Sequence, residues 1–137
     1  MYYTPSTLGQ RPVPPSPRPF RFHIDPKSGV PFYRQILESV LLAVGDGRLL
    51  PGDRLPTVRA AAVDLAVNLN TAARAYRELE IRGVVTTQQG VGTFVSDRRP
   101  DVGAVERERR LDALVEEFLA RAGGLGFGAG EVARALA

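Results

Sequence analysis

The sequence predicts an α+β fold that is mainly α, and three observations carry this prediction. Residues 55–82 contain two amphipathic helical patterns, separated by too few residues for anything but a tight turn. Residues 84–95 follow with two short β-branched runs around a loop that contains glycine. A further apolar helical stripe lies between residues 104 and 122. Together they predict a winged helix-turn-helix with a short C-terminal helical dimerisation hairpin.

The chain begins with a segment rich in proline, residues 1–19, whose composition forbids a helix and predicts a flexible arm. The arginines in this arm have the charge to contact the DNA backbone. An unstructured leader segment without a function is the simpler interpretation. The alternation from Phe20 to Ile24 predicts a short strand, with His23 on its surface.

A first helix is predicted from Pro31 to about Asp46, because proline is well tolerated in the first turn of a helix. Glycines at the end of this segment stop it. The expected buried stripe consists of Phe32, Ile36, Val40 and Val44.

The helix-turn-helix pair comes next. The hydroxyl of Thr57 is placed to cap the first of the two helices, and Asn68 to cap the second, which Gly83 ends. The buried positions expected in the first helix are Val58, Ala61, Ala62 and Leu65. Those expected in the second are Ala72, Ala75, Tyr76 and Leu79.

The outward face of the second helix carries amide, hydroxyl and guanidinium groups. A recognition helix presents such groups, above all those of its first turn, to base edges and phosphates. The residues concerned are Asn68, Asn70, Thr71, Arg74 and Arg77. The face alone fits a solvated helix equally well. The following hairpin favours DNA, because the Gln89–Gly90 tip can bring backbone and a glutamine side chain into a groove.

The chain carries PFYRQILESVLLAVGDGRLLPGDRLPTVR, then VNLNTAARAYRELEIRGVV, then QQGVGTFV, with FHIDPKSG ahead of them, and the order and spacing of these segments are those of a known family. These motifs resemble the GntR family of bacterial transcriptional regulators. The Asn-x-Asn-Thr opening of the recognition helix and the short tail are most similar to the YtrA subgroup. Arg59, Asn70, Thr71 and Gly90 match the positions that touch DNA in the family. The resemblance therefore implies a double-stranded DNA partner.

The sequence departs from the family pattern at several positions. Many members have arginines facing DNA where this chain has Leu69 and Ala73, so sequence specificity must depend on other residues. Ala60 and Ala61 replace a common glutamate and a core leucine, which predicts a smaller core around the first motif helix. Ala66 replaces the usual turn glycine.

Composition excludes several function classes. The absence of cysteine removes disulfides and zinc sites of the cysteine type, and a single histidine cannot build a multi-histidine metal site. We therefore expect no metal, no cofactor and no enzymatic activity. No apolar run is long enough to cross a membrane and no signal peptide is evident, which predicts a soluble, cytoplasmic protein without a membrane partner.

The distribution of charge suggests which part of the molecule meets nucleic acid. The chain has a net charge of +3. Residues 1–99 are net positive and residues 100–137 net negative, as expected if the first range binds phosphates and the second contacts protein.

The predicted organisation has three parts: the arm at 1–19, a winged helix-turn-helix DNA-binding domain at 20–97, and a short helical dimerisation region at 98–137. In the last part a helix from about Ala104 to Ala122 precedes a glycine-rich break and a helix from about Glu131 to Leu136. The apolar stripe expected at a two-fold interface consists of Leu111, Leu114, Val115, Phe118 and Leu119.

These features favour a sequence-specific DNA-binding regulator, a repressor that occupies a palindromic operator as a homodimer. Arg59 and Arg74 are expected to hold phosphates, and Asn70, Thr71 and the Gln89–Gly90 tip to read bases. A winged helix used only for protein interaction is the alternative. Residues 100–137 are too few for the effector domain of larger family members, so we expect any signal to act through the dimer interface or through an unidentified small molecule.

Overall fold

A computed structural model describes residues 20–97 and 102–137, and the chain divides into two compact units, Met1–Arg98 and Arg99–Ala137. The first unit contains α1 (Phe32–Gly45), α2 (Val58–Leu65), α3 (Leu69–Ile81), β1 (Val85–Gln88) and β2 (Gly92–Val95). The second contains α4 (Ala104–Gly124) and α5 (Ala129–Leu136). The predicted arm at 1–19 lies outside the described residues.

The two motif helices begin where their capping residues predict. The Thr57 hydroxyl accepts a hydrogen bond from the Ala60 amide at 3.1 Å, and the Asn68 side-chain carbonyl accepts one from the Asn70 amide at 2.7 Å. Each bond satisfies an amide that has no partner within its own helix. The turn between the helices passes through Ala66, whose φ of 54° and ψ of 43° are left-handed.

The core of the first unit lies between the three helices and the hairpin. On α3 the predicted positions Ala72, Ala75, Tyr76 and Leu79 are all buried. On α2, Ala61 and Ala62 are buried, whereas Val58 and Leu65 are half-buried at the edge. Burial raises the pKa of the Tyr76 phenol well above its usual range.

The predicted stripe of α1 is wrong at both ends. Phe32 is 38% exposed and Val44 37% exposed, and the buried residues are Ile36, Leu37, Val40 and Ala43. A helix has about 3.6 residues per turn, so positions taken every four residues rotate by about 40° at each step. Over three such steps the predicted stripe leaves the core face.

The predicted strand at Phe20–Ile24 is also wrong. The segment is not a strand, although Phe20, Phe22 and Ile24 alternate as half-buried residues packed against the core. Its backbone bonds instead to α1, where the Ser39 hydroxyl accepts from the His23 amide at 3.3 Å. The alternation of apolar residues therefore indicated that one side of the segment is buried, and not that the segment pairs with a strand.

The hairpin is antiparallel, with Val85 opposite Val95 and Gln88 opposite Gly92. Residues 52–55 lie along the other edge of β2: the Leu55 amide donates to the Thr93 carbonyl at 2.8 Å, and the Val95 amide donates to the Asp53 carbonyl at 2.7 Å. The loop ahead of α2 thus covers this edge of β2 and attaches the wing to the helices.

In the second unit α4 ends at a glycine-rich turn, after which α5 begins. The Glu131 carboxylate accepts a hydrogen bond from the Gly128 amide at 3.1 Å, which caps α5. Ala122 is the buried residue of α4. Two open apolar grooves of about 420 and 310 Å³ run between the side chains of the two helices.

Candidate nucleic-acid interface

The first turn of α3 presents polar groups outward. Asn70 is exposed and Thr71 half-buried. Asn68 is exposed too, but its carbonyl oxygen is bonded to the Asn70 amide, so its side-chain NH₂ is the group left for other partners. These three predicted site residues lie together at the start of one helix, the place from which a recognition helix reads bases.

Apart from Arg54, which contacts the wing, the described arginines of the first unit fall into two groups. Arg34, Arg48 and Arg82 each pair with a carboxylate of their own segment, at 3.2, 2.9 and 3.5 Å. In the described residues, no ion pair is formed by the other group, which consists of Arg21, Arg59, Arg74 and Arg77. The predicted phosphate-binding side chains therefore keep their charge uncompensated.

Arg59 and Arg74 reach the surface from different helices. Arg59 is the second residue of α2 and is exposed. Arg74 lies on the outward face of α3, with its guanidinium carbon 3.8 Å from the centre of the Tyr33 ring of α1. That distance is a close cation–π contact, so the position of Arg74 is set in part by the first helix.

The wing tip carries the last two predicted site residues, Gln89 and Gly90, both exposed. Gly90 has a φ of +78°, a conformation that glycine adopts without steric cost, and it closes a three-residue connection between the strands. The tip is exposed and polar, apart from the half-exposed side chain of Val91.

Arg54 holds the wing and was missed by the sequence reasoning. Its Nη2 donates to the Val91 carbonyl at 2.7 Å, and its guanidinium lies 6.0 Å from the centre of the Phe94 ring. A Cβ at residue 92 would lie 2.9 Å from the Arg54 Nε, so a side chain there would displace the Arg54 guanidinium from the wing. No local pattern pointed to Arg54, because its partners lie 37 or more residues away.

Comparisons with known proteins identify this architecture. The family model for bacterial regulatory proteins of the gntR family matches residues 32–95, which include the three helices and the wing. A curated relative, the HTH-type transcriptional regulator Rv1152 of Mycobacterium tuberculosis, is 42% identical over 75% of this chain and 80% of its own. The chain belongs to the GntR family.

Two further relatives place this GntR chain with the YtrA subgroup. The HTH-type transcriptional repressor YtrA of Bacillus subtilis is 42% identical over 54% of this chain, a match that spans 57% of that repressor. The solved structure of YtrA from Sulfolobus acidocaldarius, a GntR-family transcription factor, is 29% identical with a TM-score of 0.54, over 72% of this chain and 97% of that one. These relatives are named as transcriptional regulators, a repressor and a transcription factor, which supports a DNA-binding regulator.

The predicted dimerisation residues of this GntR chain are exposed on α4. Leu111 is 60% and Phe118 55% exposed, and Leu114, Val115 and Leu119 range from 41% to 63%. Four of the five, all but Leu111, line the larger groove with residues of α5. The second unit therefore presents a continuous apolar face.

Residues 20–97 and 102–137 contain no cluster of three acidic, histidine or cysteine side chains that could hold a metal ion. No helix among them is long and apolar enough to cross a membrane.

Proposed function

We propose that this GntR-family regulator is a repressor that binds a palindromic operator as a homodimer. The observation that carries the proposal is that one chain has two surfaces of different chemistry. The first unit has a polar α3 face with unpaired arginines, and the second unit has an exposed apolar stripe. The first surface suits DNA and the second suits another copy of the chain.

The DNA-binding half of the proposal rests on charge and hydrogen-bonding capacity. Arg59 and Arg74 are exposed and have no carboxylate partner among the described residues, so binding phosphates breaks no ion pair. Asn70 supplies an amide that fits the donor and acceptor pattern of adenine in the major groove. Gln89 at the wing tip offers a second amide for an adjacent groove.

The homodimer half rests on the periodicity of α4. The stripe of Leu111, Leu114, Val115, Phe118 and Leu119 recurs at spacings of three and four residues, the pattern of a helix that packs against another helix. An apolar face of this length is costly to expose to water. A two-fold pair covers the same patch on both copies and presents two recognition helices about 34 Å apart.

The test selects binding sites from a pool of random DNA duplexes with the intact chain. We expect enrichment of an inverted repeat, with an affinity about 10³-fold or more above that for a scrambled duplex. Light scattering on the complex should give two chains per duplex. Transcription in vitro from a promoter overlapping the selected site should fall when the protein is added.

Three results would contradict parts of this proposal separately. A pool without enrichment would favour a winged helix used for protein contacts. An enriched site without inverted symmetry, bound by one chain, would contradict the homodimer. Increased transcription from the overlapping promoter would contradict repression.

A further inference from the structure

The contact between Tyr33 and Arg74 joins two elements that are 41 residues apart in the chain. Tyr33 lies in the first turn of α1 and is half-buried, whereas Arg74 is exposed on the outward face of α3. The guanidinium carbon lies 3.8 Å from the ring centre. A half-buried side chain of the first helix therefore supports a charged side chain on the proposed DNA-binding face.

The chemistry of the contact leaves Arg74 free to bind an anion. Stacking occupies a flat face of the guanidinium, whereas its five N–H donors point outward in the plane of the group. Neither Glu78 nor Glu80 on the same helix is within ion-pair distance of Arg74, and Glu78 pairs with Arg82. The donors and the positive charge of Arg74 are thus available at the surface.

The contact also restricts the motion of a long side chain. A free arginine must give up rotamer entropy when it binds, and a side chain already held in place loses less. When one flat face of the guanidinium is held against the ring, the orientation of its N–H edge is fixed. The N–H groups on that edge can donate to the oxygens of a phosphate.

We infer that Tyr33 is a positioning residue for DNA binding, whose ring holds the Arg74 guanidinium so that its edge meets a backbone phosphate. The inference rests on the proposed function, because it assigns a part of the same surface. It extends the DNA-binding apparatus from the helix-turn-helix and the wing to the first helix, which acts through Arg74.

A purely structural role is the competing account, in which the stack only fastens α1 to α3. The two accounts differ in what Tyr33 does when Arg74 is absent. A positioning residue has no effect on DNA affinity without the side chain that it positions, whereas a structural residue weakens binding whether or not Arg74 is present.

The experiment is a double-mutant cycle, measured by fluorescence anisotropy with the duplex that the intact chain selects. We expect Tyr33→Leu to weaken binding about twofold to fivefold, because an Arg74 side chain that the ring no longer holds gives up more rotamer entropy on binding. In an Arg74→Ala background the same change should cost nothing further. The matched control is Arg77→Ala, also on the outward face but not stacked, in which Tyr33→Leu should retain its full effect.

Tyr33→Phe separates the ring from the hydroxyl. Because phenylalanine keeps the aromatic face, this variant should bind within twofold of the unchanged protein. An affinity as low as that of Tyr33→Leu would overturn the inference and point to a hydroxyl contact with DNA. Equal losses from Tyr33→Leu in the presence and absence of Arg74 would overturn it in favour of the structural account.

Circular dichroism and thermal melting establish that each variant is folded. Should Tyr33→Leu unfold, Arg74→Lys makes the comparison, since lysine keeps the charge and loses the planar face. It should bind about twofold to fivefold more weakly with the same salt dependence, and unchanged affinity would overturn the inference. Failure of the intact chain to select any duplex would instead overturn the proposed function, and this inference with it.

Discussion

The hydroxyl of Tyr76 on α3 donates a hydrogen bond to the carbonyl oxygen of Pro56, two residues ahead of α2. The ring is buried in the core, and the bond joins the entry of the first motif helix to the middle of the second. This contact ties the segment ahead of α2 to the recognition helix. Its loss would leave a partly buried carbonyl without a partner.

We therefore expect Tyr76→Phe to lower the free energy of unfolding by about 1 kcal/mol, the usual net contribution of such a hydrogen bond. Urea denaturation followed by circular dichroism measures it. Tyr33→Phe is the matched control, because no hydrogen bond from its hydroxyl is found among the described residues. Equal stability of Tyr76→Phe and the unchanged protein would show that water replaces the phenol without cost.

Ala66 supplies a second prediction about stability. It is the non-glycine residue with a positive φ in the described part of the chain, at 54°, and a left-handed conformation costs an L-residue roughly 1–2 kcal/mol. Ala66→Gly should raise the free energy of unfolding by about 1 kcal/mol. Ala73→Gly, inside α3, should lower it by a similar amount. A loss of stability in Ala66→Gly would mean that the turn is not strained.

Arg54 gives a prediction about the wing. Arg54→Ala removes the hydrogen bond to the Val91 carbonyl, so amide hydrogen exchange at the hairpin tip should become faster while exchange in α3 stays unchanged. Arg48→Ala is the control, because it removes an arginine whose ion pair lies within its own turn. Unaltered exchange at residues 88–92 in Arg54→Ala would show that strand pairing alone orders the wing.

Arg59 and Asn70 should have separable roles on DNA. Arg59→Ala should weaken binding to every duplex and reduce the slope of log affinity against log salt by about one unit. Asn70→Ala should instead relax discrimination at one base position by roughly 1–3 kcal/mol. Titrations of the selected and scrambled duplexes at several salt concentrations measure both effects. A uniform loss in Asn70→Ala would assign this residue to a phosphate.

The stripe on α4 predicts the behaviour of a charged variant. Phe118→Glu places a carboxylate in the proposed interface, where burying an unpaired charge is costly, so the protein should become monomeric at micromolar concentration. Val105→Glu on the same helix is the control, since Val105 is 73% exposed and lies outside the stripe. Sedimentation velocity distinguishes the two. A dimer that persists in Phe118→Glu would place the interface elsewhere.

Local chemistry determined much of this protein from its sequence alone. Thr57 and Asn68 predicted both motif helices, because a capping side chain acts on amides two or three residues away. The apolar period of α3 predicted its buried face, and the β-branched runs with Gly90 predicted the wing. Each of these features depends on residues within one helix or hairpin, so residues close in the sequence are enough to determine it.

Only the tertiary structure decided the features that depend on distant segments. The buried face of α1 depends on where α3 packs, so a repeat of four residues could not locate it. Phe20–Ile24 bonds to a helix and not to a strand, which its alternation could not reveal. Arg54 at the wing and Tyr33 beneath Arg74 acquire their roles from partners 37 and 41 residues away, because folding brings those partners together in space.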